Sequence, residues 1–300
     1  MIPPRIAVIG AGMAGLSCAR ILADAGLRPI VFEKSRGLGG RIATRRSDAG
    51  DFDHGAQFAT AKERPFAAFL AKACEIGTAA PWQPPDSGEG WHVGTPAMNS
   101  LVKPLAEGLD LRFGTEIEAP VRRAGAWRVG GEQVDFLVST VPAPQANRLF
   151  GLSALATVEM APCWALMACF AEDPGLPDVR RSKEGDLSIV VRSSAKPGRE
   201  AGHRFVAHAS PEWSAEHLEM DKPEAAEALL ALLGRKASLP PAAHAVAHRW
   251  RYARTVRPLG QPFLAAQEDT LFVGGDWCLG ERIEDAHASG RAIAEAILSR

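Results

Sequence analysis

The chain of 300 residues is 46% hydrophobic and 23% charged, with a formal net charge of −1; these are values of an ordinary soluble globular protein with room for one elaborated domain or two interleaved ones. So balanced a charge excludes the basic field that nucleic acid or an anionic membrane surface requires. The five cysteines, Cys18, Cys74, Cys163, Cys169 and Cys278, show neither CxxC spacing nor an even count, which argues against a disulfide framework or a structural metal and for a reducing, cytoplasmic setting.

The N-terminal apolar run is broken by three glycines at turn spacing, so it reads as a folded motif rather than a secretory signal. No stretch reaches the roughly 18 apolar residues of a membrane span. Residues 5–9 form a continuous apolar strand, residues 14–25 carry Leu16, Ala19, Ile21 and Leu22 at helical spacing, and residues 28–32 form a second apolar strand. Strand, helix, strand with a tight entry turn is the unit of a parallel sheet. Residues 33–60, "EKSRGLGGRIATRRSDAGDFDHGAQFAT", have too little periodicity for a packed helix and are expected to form an ordered ligand-binding loop. A helix over 62–76, a loop over 79–90 ("AAPWQPPDSGEG") and a capped helix over 95–106 follow. Short strands are then expected in "LDLRFG", "EIEAPVRR", "AWRVGG" and "QVDFLVST". Residues 155–250 differ in character: "CWALMACFA", "DLSIVV" and "HRFVAHA" read as strands, with one clear helix over 222–235. They imply a mixed sheet inserted between halves of the first domain. "FVGGDWC" and "ERIEDAHASGRAIAEAIL" close the chain as it opened, with a strand, a glycine-rich turn and a helix.

The most specific local motif is "GAGMAG", in which Gly10, Ala11, Gly12, Met13, Ala14 and Gly15 lead from the first strand into its helix. Gly10 permits the tight turn, Gly12 lets backbone approach a pyrophosphate, and Gly15 lets the helix pack on the strand. The helix N-terminus offers unpaired N–H groups and a partial positive charge to phosphates. Glu33, followed by Lys34, stands roughly 20 residues on, where a carboxylate accepts hydrogen bonds from an adenosine ribose. Such a bond is worth about 1.5–3 kcal/mol. NAD and FAD share this fingerprint, so the turn alone leaves both open.

A second glycine pair followed by arginine, Gly39, Gly40 and Arg41, resembles the extension of the FAD-containing amine oxidase, phytoene desaturase and protoporphyrinogen oxidase superfamily. The resemblance implies FAD, with Arg41 reaching its pyrophosphate; Arg36, Arg45 and Arg46 read as a solvated basic loop. It also implies that Gly274, Gly275 and Asp276 serve the ribityl and pyrophosphate side. The first turn of the last helix, Glu284, Asp285 and Ala286, would meet the pyrimidine end of the isoalloxazine, where a positive helix end favours anionic reduced flavin. Val121 is a further expected FAD contact. Cys278 lies outside the superfamily's cysteine-linkage motif, so FAD is expected to be held non-covalently.

In order and spacing, "GGRIATRR", "DFDHGAQFAT", "GTPAMNSL", "STVPAPQANRLF", "HRWRYAR" and "GGDWCLGERIEDA" are similar, over nearly the whole chain, to the renalase family in its bacterial form. The resemblance implies an α/β fold, an FAD-binding Rossmann-like three-layer domain (1–65, 95–150 and 255–300) with an inserted mixed-sheet substrate domain (66–94 and 151–254). It implies an oxidase that takes a hydride from isomeric dihydro-NAD(P), the 2- or 6-dihydro forms, and returns β-NAD(P)+ while O2 becomes H2O2. Gln57 and Phe58 are then expected against the flavin, with Phe58 where a tyrosine is also common. His208, Trp213, His248, Trp250 and Tyr252 are the expected substrate-side residues, with core packing as the plainer alternative. Arg249, Arg251 and Arg254 read as a solvated edge, or else as receivers of substrate phosphates. A dihydropyridine is already a hydride donor and needs orientation rather than a base. Amine oxidation in this fold typically uses an aromatic cage over the flavin, often two tyrosines; the chain has a single tyrosine, Tyr252, with Trp250, Trp277 or Phe58 as substitutes for one wall, which lowers the amine reading without excluding it. The rivals are an amine oxidase or desaturase, a non-catalytic nucleotide sensor and a flavin-free NAD dehydrogenase; monomer and dimer both stay open.

Overall fold

Ile6–Ile9 is buried at all four positions, which is why its sequence shows no polar alternation: it lies at the centre of a six-stranded sheet covered on both faces. The computed structural model of the chain describes residues 3–85, 90–235 and 238–300. The sheet order is Phe263–Ala266, Leu271–Gly274, Phe136–Ser139, Ile6–Ile9, Ile30–Glu33 and Asp110–Phe113. Its ladders are parallel except that between Phe263–Ala266 and Leu271–Gly274. On one face Ile6 and Val8 meet the helices Met13–Asp24 and Ile283–Leu298. On the other, Ala7 and Ile9 share a core with Trp127 and Val129 of a three-stranded meander and with the helix Ala143–Phe150. The expected three layers are therefore helices, sheet and meander.

Several local expectations need correction. The strand expected over 133–140 divides at Asp135, whose carboxylate accepts the Arg5 N–H at 2.8 Å, so Glu132–Val134 joins the meander and Phe136–Ser139 the large sheet. The helix expected over 95–106 is a 3-10 turn, Met98–Val102, followed by a single turn, Lys103–Ala106. Part of the loop expected over 79–90 is instead a strand, Ala79–Trp82, paired with Trp91–Gly94; residues 86–89 lie outside the described residues. The glycine- and arginine-rich loop contains a 3-10 turn, Gly40–Ile42, and a short hairpin, Arg45–Ser47 with Gly50–Phe52.

The inserted sheet runs Val179–Arg181, Leu187–Arg192, His203–Ala209, Glu159–Phe170, Ala242–Arg257. Each of its ladders is antiparallel, so the mixed pairing belongs to the large sheet and not to this one. Side chains alternate across it. Trp164, Leu166, Ala168, Phe205 and Ala207 pack under the helices Pro211–Glu216 and Lys222–Gly234. On the opposite face Met167 and Val206 pack on Phe52, and by register His208, His248 and Trp250 share that face. The segment 53–58 follows Phe52 directly, and so runs beneath the inserted sheet. Among the described residues no helix is long and apolar enough to cross a membrane.

Candidate cofactor and substrate site

The three glycines of the first turn do different work. A Cβ on Gly15 would lie 2.0 Å from the Gly10 carbonyl oxygen, and one on Gly10 would lie 2.8 Å from Thr140 Oγ1, so these two glycines are required by protein packing. A Cβ on Gly12 would meet nothing nearer than the Gly39 oxygen at 3.9 Å. The middle of the turn is thus open to a group from outside the chain. The helix it opens has Gly12 as its N-cap, no capping side chain and no acidic residue in its first turn, which leaves N–H groups for an anion. Beside it, Glu33 Oε2 accepts the Ala11 N–H at 2.9 Å while Oε1 accepts from Ser35 N–H and Oγ–H at 2.8 and 2.7 Å. An open phosphate cradle with a fixed carboxylate at the strand end fits the dinucleotide moiety of FAD. Lys34 is exposed, with its Nζ 4.0 Å from Glu116.

The second glycine pair lies alongside the first turn: Gly39 bridges Gly12, and Gly39 N–H donates to Ala11 O at 2.9 Å. Arg41 then does something the sequence does not reveal. Its guanidinium takes the Asp276 carboxylate in a two-point pair, with Nη1 to Oδ2 at 2.8 Å, and also donates to Ala253 O at 3.2 Å. Two residues expected to serve the cofactor separately therefore tie the N-terminal and C-terminal glycine-rich segments to each other. Gly275 N–H donates to Ser289 Oγ at 2.9 Å, which joins the closing turn to the last helix.

Glu284 and Asp285 lie in the first turn of the last helix, and Val121 lies in the meander. The Glu284 carboxylate accepts Lys62 N–H and Glu63 N–H at 3.0 and 2.7 Å, so it caps the approach to the helix Arg64–Glu75. Asp285 accepts the Arg282 N–H at 2.8 Å as a capping box. Both side chains are thus spent on helix ends, and only the backbone of the first turn, including Ala286, can serve a ligand. Val121 sits in the outer strand of the meander and is 42% exposed. The segment beside Glu33 is the one that precedes it: Thr115 N–H donates to Glu33 O at 3.0 Å, and Ile117 packs in the same cluster as Phe32.

On the substrate side, the inserted sheet holds the 53–58 segment by one carbonyl. His54 O accepts Trp250 Nε1–H at 2.9 Å and lies 3.3 Å from His208 Nε2. Because a carbonyl only accepts, the proton of His208 is assigned to Nε2. The His54 ring is edge-on to His248 with centres 4.7 Å apart and lies 5.0 Å from Trp250. Gln57 is buried; its Nε2 donates to the Asp53 and Gly55 carbonyls, and its Oε1 accepts from Lys196 Nζ at 2.9 Å. Phe58 stacks flat on Trp91 with ring centres 3.7 Å apart. The Tyr252 hydroxyl accepts from Arg148 at 3.0 Å. Trp213 is not part of this group. It lies in the helix Pro211–Glu216, stacked on His217, in the cluster on the far face of the sheet. Arg249 and Arg251 both pair with Glu219 and Arg254 pairs with Glu281, so all three are occupied by carboxylates.

Under Gln57 lies a buried charge cluster that the sequence analysis missed. Asp53 Oδ2 accepts from Lys196 at 3.1 Å and Arg199 at 2.7 Å, and its Oδ1 accepts from Thr44 Oγ1 and Met98 N–H. Burial alone would push the Asp53 carboxyl up, but Lys196 and Arg199 override it and hold it well below the usual carboxylate range. Burial pulls the Lys196 ammonium down from its ordinary value, with Arg199 adding to the effect and Asp53 opposing it. The local sequence gives no signal for this: "AKPGRE" reads as a solvated loop.

Burial is also the main cause that brings His54, His208 and His248 down to about 4. Their folded values lie below the ordinary 6.5, so the folded state binds fewer protons than the unfolded state over that interval. Their contribution to stability is therefore complete above pH 6.5 and is lost as pH falls toward 4. A loss of about 2 kcal/mol per ring is expected after discounting for residual solvent contact. Thermal unfolding followed from pH 7.5 to 4.5 should show a steadily falling midpoint; a flat profile would contradict the neutral-imidazole assignment.

Residues 8–73 match a family model described as NAD(P)-binding Rossmann-like domain, and residues 78–298 one described as flavin containing amine oxidoreductase. The 15-cis-phytoene desaturase of Synechococcus elongatus is 54% identical over 48 residues, 16% of this chain and 10% of that protein. The L-amino acid oxidase of Cerastes cerastes is 48% identical over 46 residues, 15% of this chain and 9% of that protein. Each match spans about a tenth of the relative's length. The solved cyclohexylamine oxidase from Brevibacterium oxydans IH-35A has a TM-score of 0.75 at 13% identity, covering 99% of this chain and 100% of that one, which is a likeness of fold. With an open phosphate cradle, a second glycine pair beside it and a family model that matches most of its length, the chain belongs to the flavin containing amine oxidoreductase family.

Proposed function

We propose that this protein oxidises isomeric dihydro-NAD(P), in its 2- or 6-dihydro form, to β-NAD(P)+, with O2 reduced to H2O2, as in the renalase family. One dihydro dinucleotide, one O2 and one proton give one oxidised dinucleotide and one H2O2. The observation that carries this reading is the make-up of the sheet face beside Gln57. Trp250 stands there with the neutral rings of His54, His208 and His248, and the carboxylate among them, Asp53, is already paired with two cations. A flat, neutral ring bearing a carboxamide finds stacking and hydrogen-bonding partners in such surroundings. Among the described residues of that face an alkylammonium finds no free carboxylate. The one tyrosine is bonded to Arg148, and a two-tyrosine cage cannot be built.

FAD, when bound, supplies the hydride acceptor and the route to oxygen. The chain's own part is to bind and to orient. Gly12, Gly39, Gly40 and Glu33 would hold the dinucleotide moiety, and the first turn of the helix Ile283–Leu298 would bring its positive end to the ring. Cys278 is buried and its thiol is pushed up to about 12 by that burial, which supports non-covalent attachment. No general base is needed, in keeping with imidazoles that stay neutral and weakly basic. The division into an FAD-binding domain (1–65, 95–150, 255–300) and a substrate domain (66–94, 151–254), and a cytoplasmic setting, belong to the same proposal.

Anaerobic stopped-flow mixing of the yellow protein with 2- and 6-dihydro isomers of NAD(P)H, β-NADH, cyclohexylamine and other amines tests it. Rapid bleaching by an isomer, at least about tenfold faster than by β-NADH or any amine, is expected. Bleaching by an amine alone would replace this reading with the amine-oxidising one that the named structural neighbour suggests. No bleaching by any donor would leave a nucleotide-binding protein without this activity.

A further inference from the structure

Arg148 belongs to the helix Ala143–Phe150, which follows a strand of the large sheet, yet its guanidinium reaches the inserted sheet. Nη1 donates to the Tyr252 hydroxyl at 3.0 Å, and the guanidinium carbon lies 5.9 Å from the centre of the Tyr252 ring. Arginines of the strand Ala242–Arg257 are all answered by acids: Arg249 and Arg251 by Glu219, Arg254 by Glu281 and Arg257 by Glu159. Arg148 differs. Among the described residues its side-chain partner is a neutral phenol, and Arg148 is exposed. A guanidinium held in this way keeps its charge and most of its five donors for an incoming anion.

Its position gives that anion a context. Arg249 and Arg251 both reach Glu219, Trp250 lies with His248 on the other face of the strand, and Tyr252 follows where the ladder to Glu159–Phe170 is irregular, between Trp250 and Arg254. Tyr252 stands two positions beyond Trp250, at most roughly 7 Å along a strand, a gap that a single ribose can bridge. We propose that Arg148, steadied by Tyr252, is the phosphate subsite for a dinucleotide whose flat head ring lies at the Trp250 end of the row. The inference rests on the reading of the site given above and extends it: the protein selects a phosphate-bearing dinucleotide over the free nicotinamide ring. Arg148 and Tyr252 are specificity residues, and the three strand arginines are not.

The flavin-loaded protein is titrated with β-NAD+ and, separately, with 1-methylnicotinamide, which carries the ring without phosphate, and the flavin absorbance is followed. Wild type, Arg148→Met, Arg148→Lys and Tyr252→Phe are compared. Arg148→Met is expected to weaken β-NAD+ by about tenfold or more and to change 1-methylnicotinamide by less than about twofold. Arg148→Lys recovers part of the loss because the charge returns without the planar fork. Tyr252→Phe shows a smaller loss, and the wild-type preference for β-NAD+ shrinks as salt rises. An unchanged β-NAD+ affinity in Arg148→Met overturns the subsite and leaves the reading of the site intact. Equal weakening of both ligands also overturns it, since that reports a general disturbance. Absence of β-NAD+ binding by wild type overturns the site and the subsite together.

Discussion

Gly290→Ala is expected to yield a colourless protein of lower stability. Gly290 is where the helix Ile283–Leu298 rests on the helix Met13–Asp24: a Cβ there would lie 2.1 Å from the Ala14 carbonyl oxygen and 2.9 Å from its carbon. Those are helix backbone atoms and cannot rotate away, so the two helices must part. The neighbouring Ser289 hydroxyl holds Gly275 N–H, and Asp276 holds Arg41, so a shift of the last helix reaches both glycine-rich turns. Alanine gains about 1 kcal/mol of helix propensity over glycine. Overpacking costs about 1–3 kcal/mol and more against rigid backbone, so a net loss of about 2 kcal/mol is expected. Flavin content after gel filtration and the thermal midpoint measure the two effects. Full flavin with an unchanged midpoint would mean that the helices have slack at this crossing.

The second large effect concerns Asp53. Asp53→Asn is expected to cost about 3–5 kcal/mol, because it removes the one carboxylate facing two buried cations. Lys196 and Arg199 are 1% and 5% exposed and Asp53 is 3% exposed, so water cannot replace the lost charge. The amide keeps the acceptor for Thr44 and Met98 N–H and loses the ion pairs. Lys196→Met should cost less, since it removes a buried charge along with its partner bond, but it frees Gln57 Oε1 and lets that amide turn. Urea unfolding of the three proteins gives the ranking. Asp53→Asn as stable as wild type would show that the cluster is solvated in solution. The carboxyl of Asp53 is held below its ordinary value, so its contribution is present above the unfolded pKa near 4 and is lost as pH falls below it.

The legible parts of this protein are those whose constraint is local in the chain. Ile6–Ile9 and Leu271–Gly274 are buried throughout, and an unbroken apolar run is what a strand covered on both faces requires. Gly15 is demanded by the Gly10 carbonyl five residues back, and Gly10 by its left-handed φ and the Thr140 hydroxyl just past the neighbouring strand, so their spacing carries the motif. The strand His203–Ala209 and the helix Lys222–Gly234 follow from side-chain period in the same way. Glu284 and Asp285 mark the start of the last helix in sequence, while the helix ends their carboxylates cap are decided only by neighbouring N–H groups.

Periodicity says that a face is buried without saying against what. Trp213 and His208 stand five positions apart, and one helical turn after the strand puts them on opposite faces of the inserted sheet. Asp53, Lys196 and Arg199 come from loops more than a hundred residues apart, and a buried ion pair leaves no periodic mark on either segment. The pairing of Arg41 with Asp276, and of Arg148 with Tyr252, likewise exists only once the two sheets face each other. The sequence by itself determined the dinucleotide cradle and the class of fold, because glycine spacing and strand burial act over short distances. Tertiary structure alone decided which charges cancel, which rings are buried and which arginine faces a phenol instead of an acid, because those depend on contacts between distant segments and on the low-dielectric surroundings that packing creates.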